Sequence, residues 1–201
     1  MQTASSIEIH PTAIVCREAT LEGCVRIGAG TVVHPFAVIK ATNGPIVIGE
    51  NNIIEDRCLI ENVLEEGDKV MEIGDQNIVE VGAVIYAPRI GNNNVLHVQC
   101  EVGPNSCVSN GCSVGVRCKL LAKETLPERT VIYGKWNERR VANDNPPVCL
   151  WFLKVNLKCC EDYYHLIIIF KSQKHKRDGC SVYLHVINLV HDEIQKTTIT
   201  T

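Results

Sequence analysis

The sequence predicts an all-β protein whose short strands wind into a parallel β-helix of triangular coils. Three observations support this: aliphatic side chains return every six residues, a small residue follows four places later, and the other positions are mostly polar or turn-forming. A helix repeats every 3.6 residues and a half-buried strand every two residues, so neither element alone explains a period of six. Three hexads complete one coil of a triangular prism, and about twenty hexads predict about six to seven coils.

The aliphatic ladder is the main evidence for this fold. It consists of Ile, Leu or Val at twenty positions: Ile9, Val15, Leu21, Ile27, Val33, Ile39, Ile48, Ile54, Ile60, Ile73, Val79, Ile85, Ile90, Leu96, Val102, Val108, Val114, Leu120, Leu126 and Ile132. The step lengthens to nine residues after Ile39 and to thirteen after Ile60, and it shortens to five after Ile85. Insertions in a solenoid loop out at a corner and leave the stack intact, so we expect one prism over about residues 7–138.

Two further positions of the hexad are restricted in size. Four places after the ladder residue stand small side chains: Ala13, Ala19, Thr31, Ala37, Cys58, Ala83, Cys100, Ser106, Cys112 and Cys118. We expect them to fill the narrow space inside the prism, with Cys100 and Cys118 stacked in neighbouring coils. Directly after the ladder residue stand glycines: Gly28, Gly49, Gly74, Gly91, Gly103 and Gly115. We expect glycine and asparagine at corners because the backbone there can require a positive φ.

Charge and length exclude several classes of function. The chain has 201 residues with 20 basic and 23 acidic side chains, a net charge of −3, which excludes binding of nucleic acid by bulk charge. The first residues lack the basic and apolar regions of a secretory signal, and the longest aliphatic-aromatic run, residues 166–170, is far shorter than the about twenty residues that span a bilayer. We therefore expect an intracellular chain without membrane insertion, in which the eleven cysteines stay reduced.

Hexapeptide repeats of this kind resemble the bacterial-transferase hexapeptide superfamily, and the resemblance implies that the β-helix is left-handed. The general rule for parallel crossovers would by itself favour the opposite hand. Three functional classes of the superfamily compete. They are acyltransferases that use a histidine base with an acyl carrier or coenzyme A, γ-class carbonic anhydrases that hold zinc between subunits with three histidines, and structural members without catalysis.

The histidines support neither kind of enzyme. His10 and His34 each precede a proline, and this recurrence indicates corner residues with a structural role. His97 lies close to where the first histidine of a carbonic-anhydrase pair would fall, but Val102 stands at the place of the second. A catalytic zinc site requires three protein ligands, and the cysteine pair 159–160 has no known ligand spacing. The sequence therefore predicts no catalytic residue, no cofactor and no metal ion.

Several segments resemble the dynactin subunit 6 family more specifically. They are the Gly-Pro-Ile-Val-Ile-Gly corner that begins at Gly44, the segment 73–82, and the ending 131–134 with its continuation 139–141. The resemblance covers roughly residues 7–147. It implies a non-enzymatic subunit of the dynactin pointed-end complex that supports dynein-driven transport along microtubules and the attachment of cargo. The implied location is the cytoplasm and its cytoskeleton, including the kinetochore.

The same resemblance implies protein partners. The chain would contact other pointed-end subunits, above all a sister β-helical subunit in a heterodimer, and dynein only indirectly. An independent argument concerns strand edges, because a parallel β-helix ends in open edges that recruit other strands. Few residues precede the first coil, so we expect a partner or a lateral contact to cover part of the prism. Enzymes of this fold, in contrast, usually form homotrimers.

The segments outside the hexads are assigned separately. Loop 61–72 carries five acids and one lysine, and it is interpreted as a solvated corner or as a contact to a basic patch of a partner. Residues 1–147 form the predicted β-helix domain, and leucines spaced by three and four residues predict a C-terminal helix over 148–166 that shields the last coil. Residues 167–201 match nothing in the family, and we expect an atypical, disordered tail or a variant splice end.

Overall fold

Three parallel sheets form the faces of a triangular prism. The structure is a computed structural model that describes residues 6–64, 69–121, 123–146, 167–170 and 186–187. Sheet A contains β1 (Ser6–Ile9), β4 (Cys24–Ile27), β7 (Ile46–Ile48), β10 (Met71–Ile73), β13 (Arg89–Ile90), β16 (Cys107–Val108) and β19 (Thr125–Leu126). Sheet B contains β2 (Ile14–Cys16), β5 (Val32–Val33), β8 (Ile53–Ile54), β11 (Ile78–Val79), β14 (Val95–Leu96), β17 (Ser113–Val114) and β20 (Thr130–Tyr133). Sheet C contains β3 (Thr20–Glu22), β6 (Val38–Lys40), β9 (Leu59–Glu61), β12 (Val84–Ile85), β15 (Glu101–Val102) and β18 (Lys119–Leu120).

The number of strands confirms the predicted fold class. Sheets A and B each contribute seven parallel strands and sheet C contributes six, which makes seven coils with the last one incomplete. We number the coils from the N-terminus, so that coil 1 holds β1, β2 and β3 and coil 7 holds β19 and β20. The described part of the chain contains no helix, and hence none long and apolar enough to cross a membrane. The helix predicted over 148–166 lies outside the described residues.

The observed register places the predicted ladder in three inward columns, one on each sheet. On sheet A, for example, Ile9 pairs with Ile27, and the column ends where Val108 pairs with Leu126. Eighteen of the twenty ladder residues are buried, and the other two, Ile9 and Leu21, are partly buried and pack against the same core. Both lie in coil 1, which has a neighbouring coil on one side only. Every predicted ladder residue is thus confirmed, because each step, including the three irregular ones, brings another aliphatic side chain to the core.

Both long steps of the ladder fall at the corner between sheets C and A, where the inserted residues loop out as predicted. The buried side chain of Asn62 holds this corner together. Its Nδ2 donates to the carbonyls of Pro45 (3.0 Å) and Lys69 (2.8 Å), and its Oδ1 accepts from the amide of Leu64 (3.2 Å). One side chain thus links two inserted loops of neighbouring coils. Residues 65–68 of the acidic loop lie outside the described part of the chain.

A polar column runs inside the prism along the corner between sheets A and B. It contains three fully buried asparagines in coils 3, 4 and 5: Asn52, Asn77 and Asn94. The Oδ1 of Asn52 accepts from the backbone amide (2.9 Å) and the side-chain amide (3.0 Å) of Asn77, and Asn77 accepts from Asn94 at the same distances. The Oδ1 of Asn94 then accepts from the amide of Cys112 at 2.7 Å. Hydrogen-bonding side chains therefore occupy a hexad position where the sequence predicts small residues.

The glycines after the ladder residues have a different role from the predicted one. Gly28 is not among the residues with positive φ, but a Cβ there would lie 2.5 Å from the carbonyl oxygen of Gly49 in the next coil. The close approach of two backbones therefore requires glycine at this position. Positive φ occurs two residues later, as at Gly30 (64°) and Asn51 (54°). Positive φ at the corners is therefore confirmed, but it occurs two residues after the glycines for which it was predicted.

The described cysteines confirm the predicted packing role. Cys58, Cys100 and Cys118 are buried at the corner between sheets B and C, and all seven described cysteines are free thiols. Burial raises the pKa of the Cys58 and Cys100 thiols to about 12, so neither ionises near neutral pH. Because the thiolate is the reactive form, these thiols are inert and serve to fill space.

Antiparallel strands of the same chain cover part of each end of the stack. At the C-terminal end, β21 (Glu138–Val141) folds back on β20. At the N-terminal end, β22 (Ile167–Phe170) pairs with β2, and β23 (Val186–Ile187) pairs with β22. Residues 167–170 therefore cover the first strand of sheet B, an arrangement that the sequence did not predict. Among the described residues, β1 and β3 have no strand partner on that side.

Candidate functional site

The outer face of sheet B carries a column of buried apolar side chains. Successive residues of a strand point to opposite faces, so the neighbours of the ladder residues point outward. The outward residues that precede the ladder residues here are nevertheless buried, and they cluster with Cys16: Ile14, Val32, Ile53, Ile78 and Val95. Outward side chains that are buried require a cover. The outer face of sheet B is therefore a candidate binding surface.

A groove of about 590 Å³ continues this face towards the C-terminal end of the prism. Its floor is apolar and includes Ile78, Val95 and Val131, and residues of the segment 140–146 form one wall. A few polar side chains also line it: Glu80, His97, Ser113 and Arg140. An apolar concave surface with a small number of polar groups is typical of a binding site for a small ligand.

Three of these polar side chains form a row of close polar contacts. Nε2 of His97 lies 3.0 Å from Oγ of Ser113, and Nδ1 of His97 lies 3.1 Å from Oε1 of Glu80. The other oxygen of Glu80, Oε2, accepts from the backbone amide of Val98 at 3.0 Å. Glu80 and His97 directly follow β11 and β14 in coils 4 and 5, and Ser113 is the first residue of β17 in coil 6, so the stacking of the coils sets their spacing. We call this row the Glu80–His97–Ser113 relay.

Titratable side chains continue the row towards the N-terminus. The residues that follow the ladder residues of sheet B in coils 2 to 5 are all titratable: His34, Glu55, Glu80 and His97. Burial raises the pKa of the Glu55 carboxyl, and repulsion by Glu80 adds to this, whereas the hydrogen bond from the amide of Val81 opposes it. Nδ1 of the buried His34 lies 3.9 Å from Oδ2 of Asp56. Two neighbouring carboxylates thus lie between two imidazoles along this edge of sheet B.

The structure places the other candidates from the sequence apart from the relay. His10 lies at an exposed corner, with its Nδ1 2.9 Å from Oγ1 of Thr12. Val102, which stands at the second histidine position of the carbonic-anhydrase pattern, points into the prism and is fully buried. Among the described residues, no three His, Cys, Asp or Glu side chains are grouped so that they could hold a metal ion. The cysteine pair 159–160 lies outside the described residues.

Sequence reasoning missed Glu80 and Ser113 as partners of His97. Glu80 precedes His97 by 17 residues and Ser113 follows it by 16, both close to the eighteen residues of one coil. A search for polar pairs separated by about one coil would have found them, because outward residues at that spacing are neighbours in a solenoid. Comparison with the histidine patterns of known enzymes did not include this spacing.

Comparison with curated proteins establishes the family. The chain is 42% identical to dynactin subunit 6 of Nematostella vectensis over 173 residues, which cover 82% of this chain and 94% of the relative. It is 43% identical to dynactin subunit 6 of Danio rerio over 176 residues, which cover 83% and 90%. The chain belongs to the dynactin subunit 6 family. The resemblance seen in the sequence is therefore confirmed, although no family model matches the chain.

Other comparisons concern the fold and the enzyme alternatives. A hexapeptide transferase family protein from Anaplasma phagocytophilum superposes with a TM-score of 0.64 at 15% identity, covering 79% of this chain and 94% of that chain. This likeness concerns the fold alone and confirms the left-handed β-helix. A carbonic anhydrase from Methanosarcina thermophila is 34% identical over 113 residues, which cover 54% of this chain and 44% of that enzyme. The matches to dynactin subunit 6 are longer and closer, so they are favoured over the enzyme alternatives.

Proposed function

We propose that this protein is a structural subunit of the dynactin complex and acts at its pointed end. In that role it supports dynein-driven transport along microtubules and cargo attachment, in the cytoplasm, on the cytoskeleton and at the kinetochore. The observation that carries the proposal is the match to dynactin subunit 6 over 94% of the length of a relative. A stack of interlocked coils suits such a role, because a solenoid presents extended outer faces of fixed shape to its partners.

The first part of the proposal concerns the cover of sheet B. The described chain reaches Pro146 in the groove and resumes at Ile167, which pairs with Cys16 in coil 1. The twenty residues 147–166 join these points. As an α-helix they would extend about 30 Å, and six steps between neighbouring coils span about 29 Å. We propose that the helix predicted over 148–166 lies along the outer face of sheet B and covers the part of its apolar column that lies outside the groove.

Replacing Ile53 by Lys tests this cover. Ile53 points outward but is only 1% exposed, so we expect the lysine to lower the free energy of unfolding by about 3 kcal/mol because its ammonium would lose water. The matched control is Val47→Lys, at a partly exposed outward position of sheet A in the same coil, with an expected loss below about 1 kcal/mol. Urea unfolding followed by circular dichroism measures both losses. Small and equal losses would show that no segment covers Ile53.

The second part concerns the partner surface, which we place at the C-terminal end of the prism. Five apolar side chains of this end are exposed: Val116, Leu121, Tyr133, Trp136 and Val141. Positive charge surrounds them, since residues 115–142 carry seven basic and three acidic side chains. Exposed apolar and aromatic residues within a polar rim are typical of protein interfaces. We propose that a sister β-helical subunit binds here through an acidic surface and forms a heterodimer.

Replacing Trp136 by Ala is expected to weaken binding to the sister subunit at least about tenfold, because exposed aromatic residues often contribute most of the binding energy. Trp136 is 77% exposed, and the Lys135 ammonium lies 5.1 Å from its ring centroid. Phe36→Ala is the matched control, since Phe36 is 55% exposed in coil 2, far from this end. Co-purification of tagged variants with dynactin subunits, quantified by mass spectrometry, measures the binding. Loss with Phe36→Ala alone would contradict the placement.

Sedimentation of the purified chain distinguishes this function from the enzyme alternatives. We expect a monomer or a weakly associating species that co-expression with the sister subunit stabilises, and no turnover of carbon dioxide or of acetyl-coenzyme A. A tight homotrimer that does not dissociate on dilution would contradict the proposal. Repeated turnover of carbon dioxide or of acetyl-coenzyme A that disappears with His97→Ala would instead favour an enzyme like a γ-carbonic anhydrase or an acyltransferase.

A further inference from the structure

The Glu80–His97–Ser113 relay has the connectivity that activates a serine hydroxyl. Oε1 of Glu80 lies 3.1 Å from Nδ1 of His97, and a carboxylate beside this nitrogen favours a proton on Nδ1. In the neutral tautomer with its proton on Nδ1, Nε2 of His97 accepts from the hydroxyl of Ser113 at 3.0 Å. Nucleophile, base and orienting carboxylate are therefore connected in the order that nucleophilic catalysis requires.

The orientation of the relay is held by the β-helix backbone. Oε2 of Glu80 accepts from the backbone amide of Val98, so the carboxylate is held at both oxygens. Glu80 and His97 directly follow β11 and β14, and Ser113 lies in β17. Each of these two-residue strands pairs with strands in the coils directly before and after it. The side chain of His97 is 33% exposed and that of Glu80 is 26% exposed, so a small molecule can reach the row. Groups on such a rigid scaffold need little reorganisation when they react.

The groove beside the relay indicates the class of molecule that would react. Its floor is formed by aliphatic side chains, which favour an apolar chain over a sugar or a nucleotide. Arg140 lines the same groove, and its guanidinium has no hydrogen bond or ion pair among the described residues, so it is available to a developing negative charge. An apolar floor, a hydroxyl bound to a base and a free cation together fit an acyl group in an ester or a thioester.

We propose that Ser113 is a covalent acceptor for an activated acyl group. Oγ of Ser113 would bond to the carbonyl carbon while its proton passes to Nε2 of His97. The bond from that carbon to the leaving oxygen or sulfur then breaks, and His97 returns the proton to the departing alcohol or thiol. No oxidant or reductant is needed, and the products are the acylated serine and the free alcohol or thiol. The proposal goes beyond the role in dynactin and does not depend on it.

An alkyl fluorophosphonate tests the proposal on the full-length protein, because it reacts with activated serines by the same displacement and releases fluoride. We expect about one equivalent of adduct by intact mass, located on Ser113 by peptide mapping. Ser113→Ala should remove the adduct. Ser109→Ala is the control, since Ser109 lies in the same coil outside the groove, and its labelling should equal that of the unchanged protein.

Variants of the other two residues separate activation from a purely structural role. We expect His97→Gln to slow labelling about 100-fold, in line with the usual contribution of a general base. Glu80→Gln should slow it about tenfold and alter its dependence on pH, and Glu80→Asp should restore part of the rate. Equal labelling of Ser109 and Ser113, or an unchanged rate in His97→Gln with an unchanged melting temperature, would overturn the proposal. Binding to dynactin subunits is measured separately, so either proposal can fail alone.

Discussion

Replacing Val114 by Asp is expected to prevent the β-helix from folding. Val114 is fully buried on the inward column of sheet B, where it pairs in register with Leu96 of coil 5 and Ile132 of coil 7. A carboxylate there would lose its hydration and gain no partner, at a cost of about 5 kcal/mol or more. That cost approaches the roughly 5–15 kcal/mol that stabilises a typical domain. Loss of soluble protein and of the β-sheet signal in circular dichroism are the expected results.

The matched control for this variant lies two residues further along the chain. Val116 is 60% exposed at the corner after sheet B, so Val116→Asp introduces the same charge into solvent. We expect it to change the free energy of unfolding by less than about 0.5 kcal/mol. If Val114→Asp unfolded at the same temperature as the unchanged protein, the inward register assigned to sheet B would be incorrect.

Replacing Asn77 by Ala is expected to lower the free energy of unfolding by about 3–5 kcal/mol. The side chain of Asn77 accepts two hydrogen bonds from Asn94 and donates one to Asn52, and all three residues are fully buried. Alanine would leave two buried donors of Asn94 without an acceptor, and each unsatisfied group costs about 1–3 kcal/mol. Urea unfolding of the purified protein measures the loss, provided that the transition is two-state.

Asn143→Ala is the control for this prediction. The side chain of Asn143 is exposed, and its backbone carbonyl, which the substitution keeps, accepts the hydrogen bond from Arg129. We expect a change below about 0.5 kcal/mol. A loss below about 1 kcal/mol for Asn77→Ala would mean that the polar column contributes little and that water can replace the missing amide.

The polar column also explains a buried polar group without a partner. Nδ2 of Asn52 makes no hydrogen bond in the described structure. The neighbour in coil 2 is Thr31, whose single side-chain oxygen accepts from the backbone amide of Asn52 (3.2 Å) and donates to the carbonyl of Gly49 (2.7 Å). An asparagine at the position of Thr31 could accept from both the backbone amide and the side-chain amide of Asn52. Asn52 itself accepts from both amides of Asn77 in this way. The asparagine ladder ends with Asn52 in coil 3, because the hydroxyl of Thr31 in coil 2 accepts only from the backbone amide of Asn52 and not from its side-chain amide.

Much of the fold could be predicted from the sequence because the interior of a β-helix is repetitive. Each coil buries one aliphatic side chain per face, so a six-residue period records the inward register directly. The insertions after Ile39 and Ile60 interrupt the period without hiding it, since both loop out at one corner. The segments that resemble dynactin subunit 6 likewise allowed the family to be predicted. The buried asparagines escaped notice because a single Asn in a polar stretch is more often a turn residue.

The relay and the cover of sheet B depended on tertiary structure. Outward positions of a hexad tolerate many residue types, so a spacing of about one coil marks Ser113 as a candidate neighbour of His97 but does not show that the two side chains meet. Glu80 and His97 follow their ladder residues whereas Ser113 precedes its own, and only the stacking of three coils brings the three side chains within hydrogen-bonding distance. The sequence by itself determined which side chains point inward, because burial imposes a period on them. Contacts between outward side chains were decided by the three-dimensional structure, because they depend on how one coil lies over the next.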